Sequence, residues 1–235
     1  MSIKAQRRLL WIGLTFGLIY FLAMIFLLGF IPPPHADLDP ASVAAIYTHG
    51  DLQFRVGTVV MLAVSGFWFP IALVITAQMV RHEKGFPMWA FMQGSASAVG
   101  VVFFIMPPML WALAAFSAGR NPEITQVIHD FGWLTFFVPI GMFTFQLIPI
   151  SIIAFTSEYD GKYSAFPRWL GYLTLFEIMS GELPVVTILF KDGPFSWPGV
   201  FAIWQVIFFF SVWVTALVFT LTRAMRHQEA HPSAG

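Results

Sequence analysis

The sequence predicts an all-α protein: a polytopic membrane bundle of six transmembrane helices with both termini in the cytoplasm. Three observations predict it. Of 235 residues, 58% are hydrophobic and 10% charged, with mean hydropathy +0.77, where a soluble domain carries about a quarter charged residues. The apolar residues gather into six long runs, and about 20 helical residues suffice to cross roughly 30 Å of hydrocarbon. Six crossings put both termini on one side, and that side then carries Lys4, Arg7, Arg8, Arg81, Lys84, Lys162, Arg168, Arg223 and Arg226, nine of the twelve Lys and Arg. Arg55, Arg120 and Lys191 fall opposite. The positive-inside rule makes the richer side cytoplasmic. The whole chain, 1–235, reads as one integral membrane domain.

Span one is expected at about 9–31. Its apolar run is too long for a signal-peptide core of roughly 7–15 residues, so it reads as a retained span. Pro32, Pro33 and Pro34 stop it, because proline cannot donate to a helical ladder. The connection that follows contains a short surface helix, capped by Asp39 with Pro40 at its first position. Span two is expected at about 54–80, and it ends at the charged turn RHEKG. Span three, about 86–116, contains Pro107 and Pro108, which predict a kink or a broken last third. Span four, about 124–156, starts behind Pro122 and Glu123, residues that suit a helix N-terminus, and is longer than a membrane requires. Span five is about 166–190, followed by the Gly- and Pro-rich turn KDGPFSWPG. Span six is about 200–222, and the polar tail behind it is expected to fray.

Several function classes drop out. Net charge is zero, which gives no basis for a nucleic-acid partner. There is no Cys, which excludes disulfides, thiolate metal sites and Cys nucleophiles. No nucleotide, haem-attachment or metalloprotease motif appears, and no cofactor is expected. The halves show no inverted repeat of the kind found in many secondary transporters.

Glu177 and Glu182 are the leading candidates for catalysis, both within span five. An intramembrane carboxyl is costly, favours its neutral form, and is read first as functional. Five residues of spacing puts the two about 140° apart on a regular helix, at about 100° per residue. Gly181 and Pro184 allow a distortion, since Pro184 frees the carbonyl of Ser180. The structural alternative for either Glu is a hydrogen bond that holds two helices together. Arg55 and Asp130 are expected to form an ion pair across spans two and four at the outer side. Gln93 and Gln146 either glue helices or line a pocket with Glu177, and Trp133 belongs to an aromatic stock that would suit a lipophilic ligand. Trp11, Trp89, Trp169, Trp197 and Trp204 read as an interfacial belt. A metal reading would use His49, Asp51 and His129, with His35 nearby, but the histidines come from separate segments and share no compact ligand spacing.

The segments FPRWLGY (Phe166–Tyr172), FKDGPFSWPG (Phe190–Gly199) and TQVIHDFGWL (Thr125–Leu134) resemble a family of six-span bacterial inner-membrane proteins. The resemblance covers nearly the whole chain and implies a multi-pass inner (plasma) membrane protein, and it brings no activity, cofactor or partner. The residues themselves lead to an acid-containing, aromatic-rich pocket for a lipophilic small molecule, with isomerase- or cyclase-type acid–base chemistry. Two other readings stay open: an accessory or assembly subunit that binds other membrane subunits or a second copy of itself, and a proton-coupled carrier.

Overall fold

A computed structural model describes residues 2–49, 51–117, 119–138, 141–157 and 163–231, with the side chains of His49 and Asp51 outside the description. Among the described residues it is all helix and turn, with no strand. Six helices are long and apolar enough to cross a membrane: Ile3–Phe26, Leu52–His82, Met88–Phe116, Pro122–Thr156, Arg168–Leu189 and Val200–Ala230.

Span one is α1, Ile3–Phe26, which starts and ends earlier in the chain than expected. Gly29 takes a left-handed φ of 68° and turns the chain, so that the Phe30 N–H bonds back to the Met24 carbonyl at 3.0 Å. The short helix α2, Pro40–His49, is capped as expected: Asp39 accepts from the N–H groups of Ala41 and Ser42 at 3.0 and 3.1 Å. The Ser42 hydroxyl donates to the other carboxylate oxygen at 2.6 Å. These bonds, the Ser42 hydroxyl first, hold the Asp39 carboxyl below its usual range. The helix is not purely a surface element, because Val43 and Tyr47 are fully buried.

Span two divides into α3 (Asp51–Val64) and α4 (Trp68–Met79), separated by a 3₁₀ turn at Ser65–Phe67. Pro70 is the cause, since it has no N–H for the Gly66 carbonyl. α1 rests on this turn through Gly13 and Gly17, where an added Cβ would lie 2.8 Å from the Phe67 carbonyl oxygen and 2.9 Å from its ring. This is small-residue helix packing at a spacing of four.

Span three is α5 (Met88–Gly100) and α6 (Val102–Phe116), interrupted at Val101. The expected break at the prolines does not occur, because α6 continues through Pro107 and Pro108. The Phe104 carbonyl has proline at both positions that would normally donate to it, three and four residues on. The buried hydroxyl of Tyr20 supplies the bond instead, at 3.1 Å. Span four is α7 (Pro122–Phe137) and α8 (Gly141–Thr156), with Asn121 capping α7 through the Glu123 N–H at 2.9 Å. Span five is α9 (Arg168–Gly181) continued by 3₁₀ turns at Leu183–Leu189. A π-turn at Val200–Trp204 opens span six, which continues as α10, Gln205–Ala230.

α10 is helical to Ala230, well past the expected fray. Polar side chains hold its end: Gln78 donates to Gln6 at 2.7 Å, Gln228 donates to Gln78 at 2.9 Å, and Arg7 pairs with Glu229 at 2.9 Å. The first and last helices are therefore joined at the end that carries both termini. In the bundle, α8 packs between α5 and α9, α6 against α7, and α1 against α3 and α4.

Candidate functional site

The break in span five positions its two carboxylates. Pro184 leaves the Ser180 carbonyl without an α-helical donor, and the side-chain amide of Gln205 fills the vacancy at 2.7 Å. Glu182 caps the end of α9, and its carboxylate accepts from the hydroxyl of Thr144 on α8. Glu177, one turn earlier and 5% exposed, points elsewhere.

Glu177 lines a cavity of about 340 Å³, near the lower end of the range for small-molecule sites. The walls are aromatic: Phe21, Phe103, Phe104, Phe136, Phe137, Phe143, Phe210 and Trp204. Aliphatic residues fill most of the rest, and the polar side chains of the lining are Thr144, Glu177 and Ser211. Among the described residues no Lys, Arg or His lines it. Glu177 Oε2 is buried and has no hydrogen-bond partner among the described residues. A buried polar atom left unbonded costs on the order of 1–3 kcal/mol, so the Glu177 carboxyl carries unused hydrogen-bonding capacity beside an apolar cavity.

The amides Gln93 and Gln146 are buried but do not line this cavity. They belong to a chain of hydrogen bonds behind its wall. Thr76 donates to Gln93 at 2.6 Å, Gln93 to Ser97 at 2.9 Å, and Ser97 to the Gln146 carbonyl oxygen at 2.6 Å. The Trp68 indole donates to the same oxygen at 2.9 Å. Of the two readings open for these amides, this arrangement is glue between spans two, three and four.

Trp133 also stands one layer back. It is fully buried and stacks at 6.0 Å on Phe137, which does line the cavity. Behind it lies an aromatic cluster at the end away from the termini. Tyr47 OH and His129 Nδ1 share a hydrogen bond of 2.6 Å, and Phe30, Trp111 and Trp197 close around them. Burial, and then the negative charge of Asp130, push the Tyr47 hydroxyl well above its usual pKa. Trp197 is buried rather than interfacial, because its indole N–H donates to the Pro34 carbonyl at 2.7 Å. Trp11, Trp169 and Trp204 are exposed on the bundle surface.

The structure shows no Arg55–Asp130 ion pair among the described residues. No group of three or more His, Asp or Glu with metal-ligand geometry occurs among the described residues. The side chains of His49 and Asp51 lie outside them, and His35 is exposed.

The sequence reading missed Thr144 and Ser211 as polar wall groups, and missed the contribution of span one to the lining. Thr144 and Ser211 look like ordinary small residues in an apolar run, and only tertiary packing turns them inward. No protein-family model, no curated protein and no solved structure matches the chain.

Proposed function

We propose that this is a multi-pass protein of the bacterial inner membrane that holds a lipophilic small molecule in the cavity, with the ligand's polar group at Glu177. The observation that carries the reading is the unbonded Oε2 of Glu177 in an otherwise aromatic and aliphatic enclosure. Apolar walls supply affinity at about 25 cal/mol per Å² of ligand surface removed from water, and the carboxyl fixes orientation. Among the described residues Glu177 is also the only ionisable side chain in the lining. Its chemistry is then that of a single acid–base group. As an acid it gives a proton to one carbon of a ligand double bond. As the resulting carboxylate it takes a proton from the carbon on the far side of the cationic centre, so the double bond shifts by one position and Glu177 ends unchanged. Ring faces around the site favour the intermediate cation.

A proton-coupled carrier needs a run of polar groups to conduct the proton, and the lining offers Thr144, Glu177 and Ser211 alone. An accessory subunit needs no cavity. The charge bias along the loops supports cytoplasmic termini.

The test is native mass spectrometry of the protein extracted in mild detergent. A lipid adduct is expected in the natural protein. Gly181→Leu should abolish it, because Gly181 lines the cavity and a Cβ there meets nothing closer than Glu177 Oε1 at 4.0 Å. Glu177→Gln should weaken it. Absence of any adduct, with a membrane protein co-purifying instead, would favour the accessory-subunit reading.

A further inference from the structure

Resting on the reading that the cavity holds a lipophilic ligand, we infer that the ligand is a long-chain alcohol that slides in sideways from the hydrocarbon, through a slot between α1 and the start of span six, and leaves its chain along the outer face of α10.

The slot is located by exposure. The exposed residues of the cavity lining are Phe21, Ile25, Trp204, Ile207 and Ser211. The first two belong to α1, and the other three to span six. The same two helices are tied together at the terminal end by Arg7–Glu229 and by the Gln6–Gln78–Gln228 amides. Phe21 lies about 21 Å further along α1 than Arg7, at about 1.5 Å per residue. There the helices no longer close on each other, and both face the cavity.

The slot opens onto hydrocarbon. Four of its five residues are apolar and all stand within helices long and apolar enough to span a membrane. A solute from water would have to cross apolar residues on every side, whereas a molecule already dissolved in the bilayer need not leave it.

A second feature gives the ligand its shape. A shallow groove on α10, lined by Ile207, Phe208, Ser211, Val212, Thr215, Ala216 and Phe219, shares Ile207 and Ser211 with the cavity. It continues the cavity onto the membrane-facing surface for about 18 Å along the helix axis, from the rise per residue. That length accommodates an extended alkyl chain while the polar end stays inside. The head must be small and not anionic: among the described residues no Lys, Arg or His lines the cavity to pair with a phosphate or carboxylate, and Glu177 would repel either. A hydroxyl both donates and accepts, so it can bond the Glu177 carboxyl in either protonation state.

The absence of Cys allows a clean test. The protein is reconstituted in phosphatidylcholine vesicles with a photoreactive sixteen-carbon alcohol, and labelled peptides are followed over time. Phe21→Cys with Ile207→Cys, bridged by a short reducible bis-thiol reagent, should slow labelling of the cavity peptides about tenfold or more relative to the same variant reduced. Ser211→Trp, which narrows the mouth without a bridge, should slow it too. A bridge between Arg7→Cys and Glu229→Cys should leave the rate alone. Unchanged labelling with the slot bridged and with Ser211→Trp overturns the sideways route while leaving ligand binding intact. Equal labelling of the cavity by a photoreactive phosphatidylcholine overturns the alcohol. No labelling of the unbridged protein by either probe overturns the cavity's role as a ligand site.

Discussion

The side-chain amide of Gln205 donates at 2.7 Å to the carbonyl of Ser180, the carbonyl that Pro184 leaves without an α-helical partner. Tyr20 and Phe104 repeat the relationship at Pro107 and Pro108. In both places a proline loosens a span and a side chain from another span takes up the freed acceptor. Gln205→Leu is expected to lower stability in detergent by about 1 kcal/mol, the scale of interhelical hydrogen bonds in membranes. Pro184→Ala restores an N–H for Ser180, so the Gln205→Leu loss should shrink in that background. A double-mutant cycle measures this, and strictly additive losses would show that the bond does not depend on the vacancy Pro184 leaves.

Glycine substitutions should split by position. At Gly132 an added Cβ would lie 2.4 Å from Trp111 Nε1, and Trp111 is fully buried against Phe30 and Trp133. Gly132→Ala is therefore expected to cost about 1–3 kcal/mol. Gly181 has open space and no left-handed φ, so Gly181→Ala should be neutral or stabilising by up to about 1 kcal/mol. Thermal melts of the two variants side by side decide it, and equal losses would contradict the packing described.

Glu177→Gln should leave the fold nearly unchanged, within about 1 kcal/mol, because no described neighbour bonds Oε2. Turnover or proton exchange of the bound ligand should be lost. A well-folded Glu177→Gln protein that still turns its ligand over would remove the acid–base role and leave a site that only binds.

Topology follows from the loop charges. A reporter inserted at Gly119, between spans three and four, should lie outside, and one fused at the C-terminus inside. Both on one side would contradict the crossing count, and the reverse pattern would contradict the orientation.

Much of the fold was legible because it is written locally. Long apolar runs locate the spans, Asp39 and Pro40 announce α2, and the Gly181–Pro184 segment announces the break in α9. Partners distant in sequence were not. Nothing near Pro107 and Pro108 says that Tyr20 will supply their missing bond, so the prolines read as a break although α6 runs through them. Likewise the residues after 222 read as a frayed tail on polarity alone, while the amides that hold them stand on α1 and α4. At the candidate site, Glu177 was visible as a rare intramembrane acid. Its separation from Glu182 followed from helix geometry. Which of the two faces a cavity depends on Thr144, on another span, taking up Glu182.

The tie between the first and last helices also fixes an order of events during synthesis. Arg7 and Glu229 are separated by 222 residues, which a ribosome adds in roughly 10–45 s at about 5–20 residues per second. Gln78 is made early enough to hold Gln6 from the first helical hairpin onward, and Gln228 joins that pair only when the final helix is complete. Until then the inward side of α1 faces lipid where α10 will later stand, and the aromatic enclosure lacks one wall. The cavity around Glu177 is therefore the last thing the nascent protein acquires.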